Sequence, residues 1–101
     1  MKVLLFITSV PYAKDYNTVR NLTKKLCEKG HEVVIFLSGN GVYYLLRPDA
    51  EELKNFGARV MFCAHSAHQR GVRETPPWAE SSSTHSLSQM LKDFDKTICF
   101  N

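Results

Sequence analysis

The residue with the clearest capacity for chemistry is Cys63, which ends the apolar segment RVMFC and precedes AHSAHQR. A thiol becomes an effective nucleophile when its pKa falls toward ambient pH, and helix N-termini and neighbouring cations are the usual causes. We expect a helix to open near Ser66, which directs free N–H groups toward the strand end. Three residues shortly after the cysteine add potential positive charge: His65, His68 and Arg70. Cys63 is therefore interpreted as a nucleophile, the alternative being a small buried residue that ends a core strand.

The other two cysteines, Cys27 and Cys99, fall in a helical and a strand pattern, and we expect both in the core. Three widely spaced cysteines without a CxxC pair indicate free thiols in a reducing compartment, and so a cytoplasmic protein. CAHSAH and the later His85 have a C-x-H-x-x-H arrangement, but zinc sites normally draw recognised ligand spacings from two separate elements. No metal site is expected.

A second group of candidates surrounds a glycine-rich turn, Gly39-Asn40-Gly41, which together with Ser9 is expected to border a crevice. Such a turn can cradle an anion, although a plain turn explains the same residues. It lacks the Lys of a P-loop and the GxGxxG of a dinucleotide site, so no cofactor is predicted. Aromatic residues expected at the same crevice are also compatible with packing or subunit contact: Tyr12, Tyr43 and Tyr44.

The segments that must position these residues include short, nearly continuous apolar runs, typical of parallel strands covered on both faces. Four strands are predicted: Lys2–Thr8, His31–Leu37, Arg59–Cys63 and Lys96–Phe100. The first has no small-residue cleavage site after it, so it is interpreted as a strand and not as a signal peptide. No apolar run approaches the ~20 residues needed to cross a bilayer, so no membrane association is expected.

Helical patterns separate the strands. Asp15–Lys29 carries apolar residues at helical spacing and stops at Gly30. Shorter helices are predicted at Val42–Leu46, Asp49–Phe56, Ser66–Gly71 and Ser86–Phe94. The stretch Val72–Thr84 has two prolines and a serine triplet, which predict an exposed loop. Its Trp78 is interpreted as a lid over Cys63, an interface anchor or a side chain tucked back onto the domain.

This alternation predicts a single domain over residues 1–101, of the α/β class. We expect a three-layer α/β/α arrangement with a mainly parallel sheet of four or five strands, doubly wound as in flavodoxin. The expected strand order is 2-1-3-4, which reverses between the first and third strands. Because ligands bind outside the carboxyl ends of strands at such a reversal, this order also points to Cys63.

Several functional classes are excluded by what is missing. The formal net charge of +3 comes from basic residues scattered among acids, unlike the basic patch of a nucleic-acid-binding protein. No carboxylates are spaced as in a glycosidase, and no GxSxG elbow is present. A chain this short has a modest stability margin, so a homo-oligomer is expected.

The segments TSVPY, GHEVVIFL, NGVYYLLR, RVMFCAHSAHQRG and DKTICF, in this order, resemble the DsrE/DsrF-like (YchN-like) family, which includes the TusD/DsrE sulfurtransferase subunits. The resemblance implies a sulfur relay in which Cys63 accepts sulfane sulfur as a persulfide and passes it to a partner protein. It also implies a homo-oligomer, commonly a trimer or a hexamer of two trimers, with sulfur donor and acceptor proteins as partners. Two departures are Asn40, where members often have Asp, and a short connection from the turn to the third strand.

Two non-catalytic alternatives remain. One is an oligomeric module that holds a small anionic ligand near Ser9, Gly39 and Gly41, with Cys63 inert. The other is a subunit that only shapes a larger complex.

Overall fold

The computed structural model describes the backbone of residues 1–101 and the side chains of residues 1–12 and 16–101, so the side chain of Asp15 lies outside the described part. Five strands form one sheet: β1 (Lys2–Ile7), β2 (Glu32–Leu37), β3 (Arg59–Cys63), β4 (Ala79–Ser82) and β5 (Lys96–Phe100). The α-helices are α1 (Ala13–Glu28), α2 (Glu52–Asn55), α3 (Ala64–Gln69) and α4 (Thr84–Met90), and 3-10 helices span Gly39–Leu46, Pro48–Glu51 and Leu91–Asp93. The predicted α/β fold is confirmed.

All neighbouring strands pair in parallel, in the order β4-β3-β2-β1-β5. The predicted order was wrong, because β3 pairs with β2 and not with β1. From β1 to β4, each strand lies on the same side of the one before it, whereas β5 lies on the opposite side of β1. The strand order therefore reverses between β1 and β5. The reversal therefore does not lie beside Cys63, and strand order does not single out this residue.

The direction of growth decides which face each connection covers, because parallel crossovers are almost always right-handed. The connections from β1 through β4 contribute to a core with Val3, Leu5 and Ile7, and we call this side of the sheet the α1 face. The return from β4 to β5 runs the other way, so α4 covers the opposite side, the α4 face. There its Leu87 packs with Leu4 and other sheet residues.

Strand β4 replaces part of the loop predicted at Val72–Thr84. Its sequence AESS has little apolar character, which suits an edge strand that pairs only with β3. Trp78, just before it, is partly buried against the core of the α1 face, so it is tucked back onto the domain. It does not cover Cys63, which belongs to the cluster on the α4 face.

The segment between β2 and β3 is fastened to α1 by a buried phenol. The hydroxyl of Tyr16 donates to the Glu52 carboxylate and lies 3.2 Å from the Asp49 carbonyl oxygen, and Arg20 forms an ion pair with Glu52 at 2.6 Å. The guanidinium carbon of Arg47 lies 3.7 Å from the centroid of the Tyr16 ring. Burial, followed by the hydrogen bond to Glu52, raises the pKa of Tyr16, so the phenol stays protonated and remains a donor. These contacts fix the turn that borders the candidate site.

Gly41 allows that turn to lie directly on the end of β1. A Cβ atom there would be 2.2 Å from the carbonyl oxygen of Ile7, which is backbone and cannot move aside cheaply. The glycine is therefore explained by close packing.

Gly41→Ala is expected to lower the free energy of unfolding by about 3 kcal/mol, since the methyl group has no space. Gly30→Ala is the matched control: its φ is +84° but no atom lies within 4 Å, so a loss of about 1 kcal/mol is expected from backbone strain. Urea unfolding followed by circular dichroism measures both. An equal loss in the two variants would contradict the proposed close approach.

Candidate active site at Cys63

Cys63 is the last residue of β3 and the N-cap of α3, which begins two residues earlier than predicted. Side chains alternate along the strand, so Met61 and Cys63 face α4, whereas Val60 and Phe62 face the other core. The cysteine is 4% exposed and packs in the same cluster as Leu87 of α4. It is thus buried, yet it sits where a strand gives way to a helix.

Two opposing effects set the acidity of this thiol. Burial raises its pKa, because a thiolate is poorly solvated there. The hydroxyl of Ser66 and the backbone N–H groups of Ser66, His65 and Thr84 lower it, and together they prevail, so the pKa of Cys63 lies below its ordinary value. These donors surround the sulfur without forming a regular side-chain N-cap bond. These donors therefore increase the fraction of thiolate, the nucleophilic form, at a given pH.

Ser66 is the side chain that links the thiol to the neighbouring turn. It is buried, and its Oγ accepts a hydrogen bond from the N–H of Gly39 at 3.1 Å. An acceptor lone pair of the oxygen is thereby occupied, which leaves the hydroxyl hydrogen to be donated to the sulfur. Sequence analysis did not select Ser66 as a site residue. Ser66 follows the N-cap residue Cys63 by three positions, a spacing that brings its side chain close to the N-cap residue. That spacing is the sequence signal by which Ser66 could have been found.

The start of α4 supplies a donor that the sequence did not reveal. This helix begins at Thr84, not at the predicted Ser86, and Ser83 caps it by accepting a hydrogen bond from the Ser86 N–H at 3.1 Å. The cap places the Thr84 N–H where it lowers the pKa of Cys63. The thiolate is consequently stabilised by the first turns of two helices.

The structure brings three of the other predicted residues together beside Ser66. The guanidinium of Arg70 donates from Nε to the Asn40 Oδ1 at 3.0 Å and from Nη1 to the Ser66 carbonyl at 3.3 Å. Gly39 is next to them, with a φ of +52° and with Arg70 Nη2 3.9 Å from the position of a Cβ atom. Arg70, Asn40 and Gly39 thus form one hydrogen-bonded group with Ser66.

The remaining predicted residues lie apart from the thiol. The side chains of His65 and His68 are exposed, and neither imidazole is among the groups that shift the pKa of Cys63. Tyr12 is 66% exposed and lines a separate groove with Tyr43. The Ser9 hydroxyl oxygen is buried and has no hydrogen-bond partner among the described residues.

The other two thiols differ from Cys63 in burial, and Cys27 differs from it in acidity as well. Cys27 is half-buried against the core, and burial raises its pKa. Cys99 is exposed on the edge strand β5, so the expectation of a core position was wrong. Its strand carries core residues only on the other face, where Ile98 and Phe100 pack. Burial thus raises the pKa of Cys27, whereas hydrogen-bond donors lower that of Cys63.

Among the described side chains, no group of three or more His, Cys, Asp or Glu residues is arranged to hold a metal ion. No helix among the described residues is long and apolar enough to span a membrane.

These features define a small α/β protein with a cysteine at the end of a parallel strand, where neighbouring hydrogen-bond donors lower the pKa of its thiol. The chain belongs to the DsrE/DsrF-like family, whose sequence profile matches residues 1–100. The fold is similar to that of the YchN protein from E. coli, with a TM-score of 0.84 and 19% identity over 99% of both chains. A conserved protein of unknown function from Bacteroides thetaiotaomicron is also similar, with a TM-score of 0.74 and 15% identity over 98% of this chain and 94% of that one. No protein of curated function matches the sequence.

Ser66→Ala is expected to slow alkylation of Cys63 by iodoacetamide at neutral pH by about threefold to tenfold, the effect of one lost hydrogen bond. The sign follows from the removed donor: the pKa of Cys63 rises, so less thiolate is present at neutral pH. At a pH above both midpoints the rates should converge. The measurement is a pH–rate profile of labelling at Cys63, resolved by peptide mapping.

His68→Ala and Ser88→Ala serve as controls, because both side chains are exposed and neither is among the groups that lower the pKa of Cys63. Both should keep the wild-type profile. A wild-type profile for Ser66→Ala, or a shifted one for His68→Ala, would contradict the assignment.

Proposed function

We propose that this protein is a sulfur-relay protein that carries sulfane sulfur as a persulfide on Cys63 and transfers it to a partner protein. The observation that carries the proposal is the convergence of the Ser66 hydroxyl and three backbone N–H groups on this sulfur, which lowers the pKa of the thiol. Membership of the DsrE/DsrF-like family supports it.

The loading step is a thiolate displacement. The Cys63 thiolate attacks the outer, sulfane sulfur of a donor persulfide, and a new S–S bond forms while the donor's S–S bond breaks. The donor thiolate leaves with the electron pair of that bond, and the proton of the donor persulfide stays on the transferred sulfur. No net oxidation occurs. In unloading, the acceptor's thiolate attacks the same outer sulfur, and Cys63 leaves as a thiolate.

The donors around Cys63 serve both steps. In loading they stabilise the thiolate that attacks, and in unloading they stabilise the thiolate that leaves. Because they are a buried hydroxyl and backbone groups, they are fixed before the reaction and need no reorganisation. A lowered pKa increases the fraction of attacking thiolate and also makes Cys63 a better leaving group in unloading.

We also propose that the protein acts in the cytoplasm, since its three cysteines are all free and the relay requires reduced thiols.

Sulfur loading is expected on Cys63 alone. Incubation with a sulfane-sulfur donor should increase the intact mass by one sulfur atom, and dithiothreitol should reverse the increase. Cys27→Ser and Cys99→Ser should still load, whereas Cys63→Ser should not. Loading on Cys99 instead would show that exposure decides reactivity, and no loading from any donor would favour the non-catalytic ligand-binding or complex-forming module.

A homo-oligomer is the second part of the proposal. Tyr12 and Leu46 are 66% and 59% exposed and border one groove of about 210 Å³, a concentration of apolar surface that a subunit contact would bury. Sedimentation at micromolar concentration should give a trimer or a hexamer. Leu46→Glu should weaken the assembly, whereas Leu91→Glu, at an exposed site of the other face, is the control. A wild-type species of 11.5 kDa would contradict the proposal.

A further inference from the structure

One arginine, Arg70, is hydrogen-bonded to Asn40 and Ser66 and has no carboxylate partner among the described residues. Three other arginines form ion pairs with carboxylates: Arg20 with Glu52, Arg47 with Asp49 and Arg59 with Glu80. Arg70 instead donates to an amide oxygen and a backbone carbonyl, and no described carboxylate lies within ion-pair distance of it. A guanidinium fixed by neutral acceptors keeps its full charge for another anion.

Arg70 is linked to the thiol through Ser66. It follows the last residue of α3, and its Nη1 donates to the Ser66 carbonyl, while the Ser66 hydroxyl bonds to Cys63. Asn40 accepts from Nε of the same guanidinium. Its Nη2 has no hydrogen bond to the described residues and lies near Gly39. The charge is thus positioned next to the residue that contacts the sulfur.

The charge is not used on the thiol itself. The causes that lower the pKa of Cys63 are the Ser66 hydroxyl and backbone N–H groups, and Arg70 is not among them. A pre-positioned cation that does not activate the nucleophile is suited to bind the molecule that reacts with it.

We propose that Arg70 is the anion subsite of the relay, so that the sulfur donor of Cys63 is a small anionic sulfane-sulfur compound of the thiosulfate class. This inference rests on the proposed function. Asn40 orients the guanidinium by accepting from Nε, which leaves Nη2 for an oxyanion of the donor. An amide at this position serves that purpose without neutralising the charge, whereas a carboxylate would pair with it.

With thiosulfate the step balances. The Cys63 thiolate attacks the sulfane sulfur, the S–S bond of thiosulfate breaks, and sulfite leaves with its electron pair. The product is the Cys63 persulfide anion, and the total charge is unchanged. Arg70 would hold the oxyanion group in both the reactant and the leaving group.

The test uses two alkylating agents of nearly equal size, anionic iodoacetate and neutral iodoacetamide. In Arg70→Gln, the ratio of the iodoacetate rate to the iodoacetamide rate at Cys63 should fall about fivefold, while the pH profile for iodoacetamide stays unchanged. The wild-type ratio should also fall with added salt. Arg73→Gln is the matched control, because Arg73 is exposed and has no carboxylate partner among the described residues.

Sulfur loading from thiosulfate, measured as a mass gain on Cys63, should slow by a similar factor in Arg70→Gln and not in Arg73→Gln. The reaction of Cys63 with a neutral organic trisulfide, which forms a mixed disulfide at Cys63 and releases an alkyl persulfide anion, should proceed at the same rate in both. An unchanged alkylation ratio in Arg70→Gln, or an equal loss in Arg73→Gln, overturns the subsite even if sulfur loading occurs. A changed ratio without loading from any donor would retain the anion subsite and overturn the relay.

Discussion

The hand of the parallel crossovers constrains everything on the Cys63 side of the sheet. Because the strands from β1 to β4 are added in one direction, their connections belong to one face, and only the return to β5 crosses the other. That return must span most of the sheet, yet it contains only the short helix α4 and a 3-10 turn. The cysteine at the end of β3 points to this thinly covered side. A buried thiol one helix away from solvent is therefore a consequence of topology.

The same arrangement explains how the thiol is both buried and acidified. Burial alone would raise its pKa, as it does for Cys27. Cys63 differs from Cys27, which lies within a helix, because α3 and α4 begin next to Cys63. The first N–H groups of these two helices lack helical acceptors. Ser66 adds a hydroxyl whose oxygen already accepts from Gly39, so its hydrogen is directed to the sulfur. Low solvation then strengthens these bonds.

Features of this site that depend on neighbouring residues in the sequence were predicted, whereas those that depend on contacts between distant segments were not. The apolar runs predicted the strand that ends at Cys63, and the local spacing predicted a helix after it. Strand order failed, because the interior strands are apolar on both faces and so do not reveal their neighbours. The polar segment AESS resembled a loop, since an edge strand has few core contacts to mark it. The Thr84 N–H reaches Cys63 only through that long return, a contact no local pattern reports.

Helix α4 also connects access to reactivity. Its Leu87 packs in the cluster that buries Cys63, and its first N–H group stabilises the thiolate. Displacing α4 would expose the sulfur but remove one of its donors, so the two effects oppose each other. The donors from α3 and Ser66 do not depend on α4, because they come from the strand end itself and from the contact with Gly39. The donors on that side therefore continue to stabilise the thiolate when the covering helix moves, and such a movement would give another molecule access to the sulfur.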